Sequence, residues 1–319
     1  MSPTVALLAG VLASLDVRTD ANETAIFARS LEHVKTQIVE AEYPSFKARD
    51  FIPLETGVDP GSDSFVWYYY DRTGSAKLLA NYATDLPYVN EYGSKNTTPI
   101  ESIGVGYQYN LQEVRAAAKA GYALEARRGR MAREAVERLI DNIAAHGDAT
   151  RNVPGMLNNA NVALVTVGIN GDWDNPATTA AEILQDLFTM AFSVWSQSKQ
   201  LHTPNRMLLA TTLYQIAASK PYSSTVPDTV LEVFLRTNPF VKDVQPWVEL
   251  DLADAQGDGP RAVTYEVSPD NLGLVIPIDF EQLPPQADNL NFKVPCHARI
   301  GGVVIYRPLS MTYTDALLD

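Results

Sequence analysis

Apolar positions change their period several times along this chain, and the changes divide it. Between Ala25 and Val39, the residues Ile26, Phe27, Leu31, Val34 and Ile38 fall near one face of a 3.6-residue period, which predicts a helix. Pro44 and scattered charges end that pattern, and residues 1–50 read as an arm. From residue 51 to 110 the pattern is extended. Pro53, Gly57, Pro60 and Gly61 punctuate the entry, and the run Ser64 to Tyr70 is β-favouring throughout, closed by the turn-forming stretch Asp71 to Gly74. Pro99 to Val105 and Tyr107 to Asn110 read as further strands, whereas Leu86 to Thr98 is rich in Tyr, Asn and Gly and poor in aliphatic residues. A β-rich stretch with so few core residues cannot bury itself, which predicts that it packs on another molecule.

A helical period then takes over. Gln112 to Lys119 reads as a short helix interrupted near Gly121, and Leu124 to Ala145 as a longer one of about 33 Å. Its two columns, Met131, Ala135, Leu139, Ile143 and Ala132, Val136, Ile140, Ala144, predict a single buried stripe. Opposite charges at i, i+4 line the other side (Arg130–Glu134, Arg133–Glu137, Glu134–Arg138), each worth a few tenths of a kcal/mol. His146 and Gly147 supply a stop. Between 148 and 284 helices and strands alternate. Strands are expected at Asn161–Val167, Arg206–Ala210, Pro246–Leu252, Ala262–Val267 and Leu272–Ile278, and capping boxes at Thr179/Glu182, Thr212/Gln215 and Thr229/Glu232. Asn291–Val294 and Arg299–Tyr306 read as strands that return to the long helix.

Composition narrows the function. With 319 residues, 46% hydrophobic and 20% charged, the chain is an ordinary globular one of about two lobes. Its net charge of -13 argues against tight non-specific binding of nucleic acid, though not against enclosing it. The single cysteine, Cys296, excludes an internal disulfide and fits a reducing cytoplasm. Val5 to Leu15 has no basic residues before it, unlike a signal peptide, and no apolar run is long enough to span a membrane.

Catalytic chemistry finds no foothold. His33, His146, His202 and His297 stand in no metal-helix spacing, and Cys296 and His297, as neighbours on a strand, point to opposite faces. There is no nucleophile elbow or P-loop, and Gly104-Val-Gly106 lacks the third glycine of a dinucleotide fingerprint. The acidic groups Asp172/Asp174 and Asp251/Asp254/Asp258 lack a calcium loop and read as turns. The cluster Arg127, Arg128, Arg130 and Arg133 reads as a solvated or salt-bridged helix face, and Trp67 to Tyr70, with no basic residue among them, as a packed or inter-subunit hairpin. No catalytic, cofactor-binding or metal-binding residue is assigned.

The order of elements and several local strings resemble one family. Ala80–Pro87, Ile103–Asn110, Gln112–Ala118, His146–Asp148, Pro154–Asn159 and Gly302–Pro308 are similar to stretches of the tailed-bacteriophage major capsid proteins. That resemblance implies an α+β Hong Kong 97-like capsid fold, divided into an N-terminal arm (1–50), an extended β loop with flanking strands (51–110), a peripheral domain with a spine helix (111–150 and 285–319) and a mixed α/β axial domain (151–284). It implies a structural, non-enzymatic subunit of a virion shell, assembled in the host cytoplasm from pentamers and hexamers around double-stranded DNA. Scaffolding, portal and decoration proteins are further implied partners. Candidate inter-subunit contacts are Phe65, Trp67, Tyr69, Tyr88 and Tyr92. The alternative is an encapsulin-like nanocompartment shell around a cargo enzyme.

Overall fold

The computed structural model describes residues 46–74, 76, 88–120, 124–167, 172–223, 228–254, 259–315 and 317–318. The helix expected at Ala25–Val39, His33 and the string Ala80–Pro87 lie outside the described residues.

Four sheets organise the described chain. A short helix, α1 (Ala48–Phe51), leads into β1 (Leu54–Glu55). Next, β2 (Ser64–Thr73) and β3 (Asn90–Pro99) form a two-stranded antiparallel ribbon. The chain then enters β4 (Glu101–Asn110), α2 (Leu111–Ala120) and the long α3 (Leu124–His146). A second group comprises β5 (Ala163–Leu164), α4 (Ala180–Gln197), β6 (Arg206–Leu209), α5 (Thr211–Ser219), α6 (Val230–Thr237), β7 (Asp243–Pro246) and β8 (Ala262–Tyr265). After them come β9 (Leu272–Val275), β10 (Ile278–Gln282), β11 (Gln286–Asp288), β12 (Asn291–Ile300), β13 (Gly302–Ile305) and β14 (Met311–Thr314).

Strand β12 organises the sheet beneath α3. It pairs with β4 along one edge and with β10 and β11 along the other. Its alternate residues Val294, Cys296, Ala298 and Ile300 are buried. The sequence pattern predicts separate strands at Asn291–Val294 and from Arg299 onward, yet one strand continues through Pro295 between them. Proline lacks only an N–H, and Pro295 falls between the β11 pairing, which ends at Lys293, and the β10 pairing, which ends at Cys296. β4 is likewise one strand where two pieces were expected.

Only one of the two apolar columns of α3 is buried. Ala132, Val136, Ile140 and Ala144 are 0–5% exposed, whereas Met131 is 60% and Leu139 43% exposed. A straight helix lying on a sheet hides one arc of its surface, and the second column falls outside it. Gly147 ends the helix at φ +70°, and a Cβ there would meet the Val153 carbonyl at 2.5 Å, so glycine is required. The last carbonyls are taken by backbone N–H groups of Met156 and Leu157, which donate to Ala144 and Ala145 at 2.8 and 2.9 Å.

The five-stranded sheet runs β5-β14-β8-β6-β7 and packs against α4 through Ile183, Leu187, Met190 and Ala191. The expected strand Asn161–Val167 shrinks to β5, and the run Pro246–Leu252 becomes the end of β7 followed by a 3-10 turn at Val248–Leu250. The run Leu272–Ile278 divides between β9 and β10, which belong to different sheets. Strands β12 and β13 return to α3 as expected, but β14 does not and joins the five-stranded sheet instead.

Two of the three capping boxes are present, at Thr179/Glu182 and Thr229/Glu232. The third is absent, because α5 begins with Ala210 as its cap. Its Thr211 N–H instead donates to Oδ1 of Asp251 at 2.6 Å. A carboxylate forty positions away in sequence does the work expected of Thr212, which gives one member of the acidic group Asp251/Asp254/Asp258 a structural role.

Candidate assembly surfaces

The ribbon is built from an aromatic strand and a polar one. β2 carries Phe65 to Tyr70, and β3 offers Asn, Ser, Lys, Thr and Gly opposite it, in register from Ser64–Pro99 to Thr73–Asn90. The β3 stretch has low strand propensity, and its pairing with β2 overrides that preference.

At its root the ribbon packs on the body. Phe65 and Trp67 are half-buried, and the Trp67 ring meets Tyr306 edge-on at 6.0 Å. Tyr306 donates to Oε2 of Glu55 at 3.0 Å, and burial first, then this carboxylate, raises its hydroxyl far above the usual range. Further out the aromatic side chains are uncovered. Tyr68, Tyr69 and Tyr70 are 61%, 51% and 59% exposed, and Tyr88 and Tyr92 are 84% and 61%. Of the five contact candidates, Phe65 and Trp67 thus sit at the root, and Tyr69, Tyr88 and Tyr92 present apolar surface to solvent. Trp67, Tyr69, His202, Tyr306 and Leu309 line a cleft of about 700 Å³.

A second exposed apolar surface lies on α3 at Met131 and Leu139. Beside it, a groove of about 450 Å³ runs between Leu139, Asn142 and Ile143 of the helix and Glu101 to Gly104 of β4, and the ion pair Arg151–Glu101 at 2.6 Å stands at its edge. Reading the apolar periodicity as one stripe concealed this surface.

Three arginines of α3 are used locally. Arg128 donates to the Gln108 carbonyl and pairs with Glu113 at 3.1 Å, and Arg133 lies 6.0 Å from the Phe280 ring. Arg138 pairs with Glu134 at 3.7 Å, while Glu137 is engaged by Arg49 at 3.0 Å.

The titratable groups serve packing. His202 Nδ1 lies 2.7 Å from Glu266, and His146 Nε2 lies 3.2 Å from Glu249. Asp186 accepts from the Trp173 indole at 3.0 Å, and Asp141 accepts from the Ala48 N–H at 2.7 Å. Burial raises the pKa of both carboxyls above the ordinary value. Burial also pushes the Cys296 thiol up. Arg261 forms a two-pronged pair with Asp315, both contacts at 2.7 Å, over the face of Tyr313. Asp172 accepts from the Asp174 N–H at 3.1 Å in a local turn. Among the described residues no three His, Cys, Asp or Glu side chains are grouped to hold a metal, and no helix is long and apolar enough to cross a membrane.

Comparison with known proteins matches these features to one class. The capsid of Myoviridae phage XM1 is similar at a TM-score of 0.78 with 16% identity, over 90% of this chain and 97% of that one. Mycobacterium phage Ogopogo gives 0.61 with 12% identity, over 91% and 98%. A virus-like particle from Pyrococcus furiosus gives 0.52 with 15% identity, over 83% and 90%. No curated protein matches the sequence. The fold is thus the Hong Kong 97-like capsid fold, in α+β form. A family model described as major capsid protein covers residues 74–317, so this chain belongs to the major capsid protein family, whose members are structural rather than enzymatic.

Proposed function

We propose that this chain tiles an icosahedral virion shell through pentamers and hexamers and that the shell encloses a double-stranded DNA genome. The observation that carries this reading is the ribbon. A monomer gains nothing from holding Tyr68, Tyr70, Tyr88 and Tyr92 more than half exposed, whereas a subunit that covers them with a neighbour gains about 25 cal/mol for each Å² removed from water. Contacts of this kind are heterologous and close by rotation, and many copies make weak contacts sufficient. The net charge of -13 suits a wall that does not hold its cargo by sequence-specific contacts.

In this reading residues 1–50 are the arm, 51–110 the extended loop, 111–150 with 285–319 the peripheral domain around α3, and 151–284 the axial domain. The pairing of β4 with β12 supports joining the two peripheral segments. Strand β14, although in the returning segment, pairs with β5 and β8 and stitches it to the axial part. Scaffolding, portal and decoration proteins are its further partners, and assembly takes place in the host cytoplasm.

The test is size-exclusion chromatography of the purified chain followed by negative-stain electron microscopy of any megadalton fraction. Closed shells are expected, and a chain that stays monomeric at high concentration in assembly buffers refutes the reading. A compartment around a cargo enzyme is the weaker alternative, since the virus-like particle is the less similar fold at 0.52 against 0.78. Particles from the native source distinguish the two by containing DNA or a co-purifying enzyme.

A further inference from the structure

The cleft at the root of the ribbon runs along an unpaired strand edge. Strand β13 pairs with β9 on one side and, among the described residues, with no strand on the other. Residues of an antiparallel strand alternate between those bonded to the partner and those whose N–H and C=O point away from it. Tyr306 donates its N–H to the Asn271 carbonyl at 2.8 Å and extends the pairing with β9, so the even-numbered residues of β13 face β9. Val303 faces away and donates its N–H to the Pro154 carbonyl at 2.8 Å. By the same parity the Val303 carbonyl and both backbone groups of Ile305 face away, and among the described residues they have no hydrogen-bond partner. Both residues are buried, and backbone groups of buried residues are ordinarily paired.

Pro154, Val303 and Ile305 all line the cleft, whose volume of about 700 Å³ falls within the roughly 300–1,000 Å³ of small-ligand sites. The ribbon contributes Trp67, Tyr69 and Asn96, which share one of its faces because Trp67 opposes Asn96 and Tyr69 follows Trp67 by two. With Asn96, the exposed amides of Asn152 and Asn161 each offer a donor and an acceptor to a peptide unit. Leu201 and Leu309 add exposed apolar surface. No carboxylate lines the cleft, although the chain carries -13. His202 is already paired with Glu266, whereas the Arg307 guanidinium meets only the neutral side chain of Asn271, at 3.3 Å, among the described residues.

We infer that this cleft binds an extended, carboxylate-bearing segment of another protein as an added strand on β13. The open groups of Val303 and Ile305 bond its backbone, its apolar side chains meet Trp67, Leu201 and Leu309, and a carboxylate between them pairs with Arg307. A second copy of this chain fits less well, since its long ribbon strands β2 and β3 carry one carboxylate each, Asp71 and Glu91. The site goes beyond the shell reading and stands on the isolated subunit.

Calorimetric titration of dissociated full-length subunits with acetyl-Leu-Glu-Leu-Glu-Leu-amide and acetyl-Leu-Lys-Leu-Lys-Leu-amide, at about 0.15 M salt, tests it, together with amide hydrogen exchange at Ile305. The glutamate peptide binds at least about tenfold more tightly than the lysine peptide, and saturation with it slows the Ile305 amide by at least about tenfold. Asn161→Asp, at an exposed position, places a carboxylate in the cleft and weakens the glutamate peptide about tenfold, and Arg307→Gln removes the preference for it. Failure of the glutamate peptide to bind, or equal or tighter binding of the lysine peptide, overturns the inference. So does an Ile305 amide that stays fast on saturation or is already slow in free subunits. An Ile305 amide that slows in assembled particles without peptide overturns it too, because a second copy then fills the cleft. The titrations use dissociated subunits, so a failure of the chain to form shells sinks the shell reading and leaves the cleft result standing.

Discussion

Tyr92→Ala separates assembly from folding more cleanly than any substitution at the root of the ribbon. Trp67 is the more obvious target, but its ring packs on Tyr306, so truncating it disturbs the subunit as well. Tyr92 sits opposite Asp71 on the ribbon and is 61% exposed. A tyrosine buries about 150–250 Å² when covered, so roughly 90–150 Å² remain for a neighbour to cover, worth about 2–4 kcal/mol at full coverage. Coverage of half that area still leaves more than 1 kcal/mol, and each 1.4 kcal/mol is about tenfold in an association constant. The threshold concentration for shell formation is therefore expected to rise about tenfold or more. Subunit stability should change by less than about 0.5 kcal/mol, as for other surface positions. Light scattering across a dilution series gives the first quantity, and urea unfolding of dissociated subunits the second. A threshold within twofold of wild type, or a subunit destabilised as much as the assembly, would refute the argument.

Four further outcomes follow from the body of the subunit. Asp315→Ala leaves the Arg261 guanidinium, 6% exposed, without its carboxylate, and should cost about 3–5 kcal/mol in urea unfolding; Arg261→Met with Asp315→Ala should recover part of that loss. Asp251→Ala uncaps α5 and should cost about 0.5–2 kcal/mol, with faster exchange confined to that helix. The raised pKa of Asp186 means that the folded state holds its proton more tightly than the unfolded one, so its contribution is fully present below the unfolded value near 3.8 and is lost as pH rises through the raised folded value. Asp186→Asn keeps an acceptor for Trp173, and its stability relative to wild type should grow from acid towards neutral pH in parallel unfolding titrations. Because every subunit carries -13, raising sodium chloride from low to moderate concentration should lower the assembly threshold, and a threshold that rises with salt would mean that ion pairs dominate the contacts.

The fold was legible where one local rule acted alone. The long helix, its glycine stop and two capping boxes depend on neighbours within a few residues, and all are present. The misreadings occurred where a distant partner decided the outcome. Asp251 took over a cap that Thr212 was expected to supply, β2 recruited a strand from residues with little β preference, and a gap between β10 and β11 let Pro295 remain inside β12. In the first two cases the deciding contact is separated from the local pattern by tens of residues, where periodicity carries no information, and in the third it lies on neighbouring strands outside the pattern.

The candidate assembly surfaces divide in the same way, for a different reason. Aromatic residues in a stretch too poor in aliphatics to form a core are visible as composition, and the ribbon could be anticipated. The column Met131, Ala135, Leu139 could not, because an apolar residue facing solvent and one facing the core follow the same period on a helix. What distinguishes them is the width of the surface beneath α3, which the remaining strands set. A shell protein therefore shows its core in the sequence pattern, while its contacts appear only as demands left unmet in the isolated fold.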